Sequence, residues 1–189
     1  MLARIAEASP RFRARMAGAL SLLGLLAAVF GEFFFRRLEI AGDLIAVASM
    51  LAVTLLLYVL FKPVNRGLSL LAAFFNLAGL TCGALRWNPR GVDIPVVLNG
   101  FYCLLIGYLI FRATFLPQVL GALMAIGGLG WLTFLSPPLA NHLSAYNLAA
   151  GILGQESVML WLLVVGVNEQ RWKEQASAAA EREPLPHAW

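Results

Sequence analysis

Arginine, lysine and proline cut this chain into six apolar runs, each about as long as a bilayer crossing, and that alternation leaves few folds open. A helix needs roughly 20 apolar residues, at about 1.5 Å rise per residue, to span about 30 Å of hydrocarbon. The runs cover 16–35, closed by Arg36 and Arg37; 40–61, closed by Lys62, Pro63 and Arg66; and 67–85, closed by Arg86, Pro89 and Arg90. They continue over 94–111, closed by Arg112; 118–135, closed by Ser136, Pro137 and Pro138; and 145–167, followed by a polar tail over 168–189. Backbone polar groups in lipid must be satisfied within their own segment. The pattern therefore predicts an all-α polytopic transmembrane bundle of six helices with short loops. Six spans use most of the 189 residues, so one membrane domain is expected, with no separate soluble domain. Composition agrees: 60% of residues are apolar and 13% charged, against about 25% charged in ordinary soluble domains.

Arg11, Arg13 and Arg15 followed by an apolar stretch superficially resemble a secretory signal. The stretch is longer than a signal core and lacks a small-x-small site at its far end, so it reads as an uncleaved first span. An even number of crossings places both termini on one side. Arg4, Arg11, Arg13, Arg15, Lys62, Arg66, Arg112, Arg171, Lys173 and Arg182 then share that side, against Arg36, Arg37, Arg86 and Arg90 on the other. Such asymmetry predicts cytoplasmic termini and makes the bilayer, not a nucleic acid, the partner of the basic residues. Trp87 and Trp172 fall where interfacial anchors belong. The tail is expected to extend the last helix and then fray.

Helices in lipid approach one another through small residues. The third run carries a stripe of Ser69, Ala72, Ala73, Asn76, Gly79 and Gly83, with Phe74, Phe75, Leu77 and Leu85 elsewhere. Ala17, Ser21, Gly24, Ala28 and Gly31 repeat the device in the first run, and Asn99, Cys103 and Gly107 in the fourth. Gly121, Gly127, Gly128 and Gly130 permit close approach in the fifth, or loosen it, and Pro117 suits the first turn of that helix. None of these glycines follows a strand, as a nucleotide loop requires.

Glu156 is the most informative residue, lying near the middle of the last run. A charged side chain at that depth costs at least about 2.5–3.5 kcal/mol, so it should face protein or water and either hold a proton or find donors. Asn76, at similar depth on the packing stripe, is the expected donor, with Gln155 and Tyr102 nearby; Asn99 is a further candidate lining group. Glu32 and Asp43 sit at the extracytoplasmic end. They pair there with Arg36, Arg37 or Arg86, or form the mouth of a polar cavity leading to Glu156. His142 and His187 have no histidine partner at ligand spacing, and Cys82 and Cys103 lie at different depths. No haem, zinc site, disulfide or other cofactor is expected.

Several segments resemble a known family. Tyr58-Val59-Leu60-Phe61-Lys62-Pro63-Val64-Asn65, Leu71-Ala72-Ala73-Phe74-Phe75, Gly107-Tyr108-Leu109-Ile110-Phe111-Arg112 with Leu116-Pro117 and Leu120-Gly121, and Glu156 with Leu160-Trp161-Leu162-Leu163 and Gly166-Val167 are similar to the bacterial integral-membrane family known as domain of unknown function 4386. The likeness runs from Ala14 to Asn168 and implies a polytopic bundle of the bacterial inner membrane with no assigned activity. It also implies longer relatives, often with Arg where this chain has Asn76 and His where it has Tyr102, so that a cation would be the usual partner of the Glu156 carboxyl and a neutral amide stands here.

The functional expectation is a non-enzymatic accessory, assembly or homo-oligomerising component of the membrane, since no nucleophile and base are paired. The alternative is a small proton-coupled carrier or sensor that binds a cation or lipophilic amine at Glu156, with Gly151 and Gly154 as the candidates for local unwinding. A lipid- or quinone-modifying enzyme has the least support. An open pocket around Glu156 favours a ligand, and a sealed contact favours structural glue.

Overall fold

Three of the polar breaks in the sequence become helix caps. Asn65 Oδ1 accepts the Leu68 amide at 2.9 Å, Asp93 Oδ1 accepts that of Val96 at 3.4 Å, and Asn168 Oδ1 accepts that of Arg171 at 3.1 Å. Each satisfies an N–H that a first helical turn leaves open. A computed structural model describes residues 9–34, 39–86, 89 and 92–182; the side chains of 28–34, 39–41, 43 and 182 lie outside that description. Its helices are α1 (Pro10–Phe34), α2 (Glu39–Phe61), α3 (Arg66–Ala84), α4 (Ile94–Arg112), α5 (Gln118–Leu132), the short α6 (Pro137–His142), α7 (Ser144–Val164) and α8 (Glu169–Arg182). A 3-10 turn over Thr133–Leu135 prolongs α5. Pro117 caps α5 from outside, one position before the first-turn place expected for it.

Five segments are long and apolar enough to cross a membrane: Leu44–Phe61, Arg66–Ala84, Ile94–Arg112, Gln118–Leu135 and Ser144–Val164. They fit a multi-pass membrane protein. Helix α1 occupies the remaining apolar run, so the expected six spans correspond to six long helices, of which five meet the length and composition test among the described residues. Their outward faces suit lipid rather than water, with Leu55, Leu70, Phe74, Val119, Leu129 and Leu153 each at least 60% exposed.

The long helices close into a ring in the order α1, α2, α3, α4, α5, α7, returning to α1, so that α7 stands opposite α3. Small residues set the tightest contacts. A Cβ at Gly121 would lie 2.8 Å from the carbonyl oxygen of Gly107, and one at Gly107 would lie 2.9 Å from that of Gly121. Here α4 and α5 touch backbone to backbone, which any side chain would prevent. At Gly154 a Cβ would come within 2.6 Å of the Leu123 oxygen. Gly151 and Gly154 therefore serve close packing of α7 on α5, and α7 is continuous through both rather than unwound.

The end of the ring nearer the termini is filled. Leu60, Phe61, Leu109 and Ile110 are almost fully buried, and the Phe61 and Phe115 rings lie 6.0 Å apart. Below them the tail departs from expectation. It does not prolong α7: Gly166 adopts φ of +76°, its amide reaching back to the Trp161 oxygen at 3.0 Å, and the chain turns into a separate helix, α8. Left-handed backbone is open to glycine at no steric penalty. Trp172 then donates from Nε1 to the Leu60 oxygen at 2.9 Å, while Gln175 accepts from the Thr114 amide at 3.1 Å and donates to the Arg112 oxygen at 3.2 Å. The indole of Trp172 thus holds α8 to the end of the bundle, with the Arg13 guanidinium over its ring at 5.7 Å.

Candidate functional site

Above that filled end the ring encloses a cavity of about 910 Å³, lined from all six long helices. Its lower boundary is apolar, with Leu57, Ile106 and Leu162 in the wall next to the buried core. Leu44, Leu25, Gly83 and Ala84 line it toward the other end of the bundle, where these residues are also exposed. Most of the wall is hydrocarbon, and a few polar groups converge on it. This is the usual composition of a small-molecule site.

The sequence places these groups through helical spacing. The buried stripe of α3, namely Ser69, Ala72, Asn76 and Gly79, turns Asn76 inward. Its Nδ2 donates to Thr54 Oγ1 on α2 at 2.6 Å, and Thr54 donates in turn to the Met50 oxygen at 2.7 Å. On the α4, α5 and α7 side, Gln155 collects three contacts. Trp131 Nε1 donates to Gln155 Oε1 at 3.2 Å, Asn99 Nδ2 donates to the same oxygen at 3.4 Å, and Gln155 Nε2 donates to Asn99 Oδ1 at 3.5 Å. The amide contacts are at the long end of hydrogen bonding and so are readily replaced by a ligand.

Glu156 lies beside Gln155 in the same wall. Its Oε2 is shielded and has no hydrogen-bond partner among the described residues. The lining contains no Lys, Arg or His among the described residues, so nothing in the wall supplies a counter-charge. A buried carboxyl oxygen without a donor is costly enough to need an occupant, a proton or water.

Of the residues singled out from the sequence, Glu156, Asn76, Asn99, Gln155 and Tyr102 all line this one cavity. The expected bond between Asn76 and Glu156 is not formed. Thr54, on the helix adjoining α3, takes the Asn76 amide, whereas Glu156 stands across the ring on α7. Glu32 and Asp43 belong to α1 and α2, but their side chains, and Arg36 and Arg37 altogether, lie outside the described residues. The pairing expected for them lies outside the description too. Thr54 and Trp131 escaped the reading of the sequence. Trp131 shares a face with Met124, Gly127 and Gly128, buried residues at helical spacing, and that spacing is the signal that points it inward.

Comparison with known proteins adds lineage without chemistry. The chain is similar to an uncharacterised protein of Archaeoglobus fulgidus, 26% identical over 139 residues that make up 68% of this chain and 83% of the relative. No solved structure matches the chain significantly. The sequence profile of the domain of unknown function DUF4386 matches residues 36–87 and 83–166, which takes in α2 through α7 with every cavity-lining polar residue named above, and the chain belongs to that family.

Proposed function

We propose that this protein is a non-enzymatic, membrane-embedded binding protein whose bundle interior receives a small amine, with Glu156 as its counter-group. One observation carries the reading: a carboxyl oxygen without a partner, in the wall of a largely apolar cavity that has no cation of its own among the described residues. An ammonium group supplies both the missing charge and the missing donors, and charge-assisted bonds of this kind are about twice as strong as neutral ones. Asn99 and Gln155 offer further oxygens beside it. A bare metal ion would leave most of a 910 Å³ space unfilled.

An accessory or oligomerising role would rest on the outward Phe and Leu faces, which any lipid-facing helix carries. The cavity is what favours a ligand over it. Sensing or carrying are both compatible with such a site; α7 runs unbroken past Glu156, unlike the interrupted helices that many carriers use.

The setting proposed is the plasma membrane, with the α8 end of the ring cytoplasmic. Arg11, Arg13, Arg15, Lys62, Arg66, Arg112, Arg171 and Lys173 gather at that end, as the positive-inside rule requires of a cytoplasmic face.

Titration with phenethylamine of the protein in lipid nanodiscs, followed by tryptophan fluorescence, tests the reading. Saturable binding is expected, weakened at least about tenfold in Glu156→Gln, with Trp131→Phe removing most of the signal change. Equal binding by the wild type and Glu156→Gln would remove Glu156 from the site and end this reading.

A further inference from the structure

The way α2 and α3 meet bears on what kind of amine the cavity takes. They are joined by a short turn, in which the Val64 and Asn65 amides both return to the Phe61 oxygen, yet they touch less than any other neighbouring pair in the ring. Near the turn they are packed, with Leu57, Leu60, Phe61 and Ala72 in the buried core. Among the described residues their last polar link is the bond from Asn76 to Thr54, about 10 Å above the turn along α2 and about 15 Å along α3 at 1.5 Å per residue. Beyond it, Leu44 and Val47 of α2 line the cavity and are 66% and 39% exposed, and Leu80 and Gly83 of α3 line the same space. Wall residues this exposed, on the pair of helices that touch least, fit a wall that is open there. Two helices hinged at one end and pinned at mid-height have room to part above the pin.

We infer that the cavity opens sideways into the bilayer between the outer halves of α2 and α3, and that its ligand is a single-chain amphiphilic amine, the ammonium head at Glu156 and the alkyl chain lying in that gap. This rests on the reading of Glu156 as the counter-group. It goes further in assigning the route and the chain. The edges of the gap are hydrocarbon, so an alkyl chain loses nothing by leaving lipid for it, whereas a hydrated small ion would have to shed its water there. The volume lies near the top of the range, about 300–1,000 Å³, that suits one ligand of drug size rather than a two-chain phospholipid.

The test crosses chain length with position. Equilibrium binding of radiolabelled dodecylamine and butylamine is measured on nanodisc-embedded protein, with empty nanodiscs subtracted, for the wild type, Glu156→Gln and Leu80→Trp, which fills the gap. Val47→Trp fills it from the other helix, so the comparison survives if one variant fails to fold. Glu156→Gln is expected to weaken both amines at least about tenfold. The tryptophan variants are expected to weaken dodecylamine at least about tenfold and to leave butylamine within about twofold. If the tryptophan variants affect both amines alike, or neither, while Glu156→Gln still weakens both, the lateral gap is overturned and the site at Glu156 stands. If Glu156→Gln weakens neither amine, the site itself is overturned and the gap with it.

Discussion

Asn76 gives its side-chain amide to Thr54 Oγ1 at 2.6 Å, and Glu156, in the opposite wall of the same cavity, keeps an oxygen without a partner among the described residues. The two residues line one cavity without meeting. Each half of that arrangement can be disturbed on its own. The Thr54 half concerns stability, and the Glu156 half concerns binding.

Thr54→Val keeps the shape of the side chain and removes the acceptor, leaving the buried Asn76 amide unanswered. Interhelical hydrogen bonds in membranes contribute about 0.6 kcal/mol on average and up to about 1.7, and the short Asn76 bond belongs toward the upper end. Unfolding equilibria in bicelles should show a loss of about 1–2 kcal/mol for Thr54→Val, and most of that recovered in the double variant Thr54→Val/Asn76→Leu, where no polar group is stranded. A loss in the double variant equal to or larger than that in the single would show that the bond is not the cause.

Gly121→Ala places a methyl within 2.8 Å of a backbone oxygen that has no room to yield, so α5 must move from α4. Overpacking of this kind costs about 1–3 kcal/mol. Gly67→Ala is the control, since a Cβ there meets only Asn65 Oδ1 at 3.5 Å. Thermal denaturation in detergent should separate the two, with Gly121→Ala clearly destabilised and Gly67→Ala neutral or slightly stabilised by its better helix propensity.

Trp172→Phe removes the donor to the Leu60 oxygen while leaving a ring beneath Arg13. One hydrogen bond of this kind contributes about 0.5–1.5 kcal/mol, enough to raise the open population of α8 by roughly two- to thirteenfold. Hydrogen exchange should quicken by that factor over Glu169–Arg182 and remain unchanged in α4 and α5. Faster exchange throughout the ring would mean that α8 braces the entire bundle.

Orientation is read by thiol labelling on intact cells after Cys82 and Cys103 are replaced by Ala. A membrane-impermeant maleimide should label Ser136→Cys, at the end of the ring away from α8, and should reach Ser177→Cys in α8 only once the cells are broken. The reverse pattern would place the termini outside.

Much of this was legible because lipid constrains sequence more than water does. The helix ends followed from the arginines and prolines at the edges of the runs, whereas the capping by Asn65, Asp93 and Asn168 emerged only with the structure. The α3 stripe turned Asn76 to the interior, where the structure has it, since small residues at helical spacing mark the packed face. Partner choice was not legible. Depth along a helix put Asn76 level with Glu156, but neighbourhood around the ring gave its amide to Thr54, and ring order is a tertiary property that periodicity does not encode. The fate of the tail hinged on Gly166, where a left-handed turn replaces a helical one and brings Trp172 under Leu60; composition alone made the segment look like a helix that unravels. Trp131 was overlooked because an aromatic in an apolar run reads as core, and only its contact with Gln155 makes it part of the site.

In the proposed site the Glu156 carboxyl faces the cavity and meets the ligand there. Difference infrared spectroscopy of the nanodisc-embedded protein, recorded on adding phenethylamine, reports on that group directly. A change in the carboxyl stretching region that saturates with binding and vanishes in Glu156→Gln is expected. Binding with no carboxyl difference band, or with a band that persists in Glu156→Gln, would contradict it.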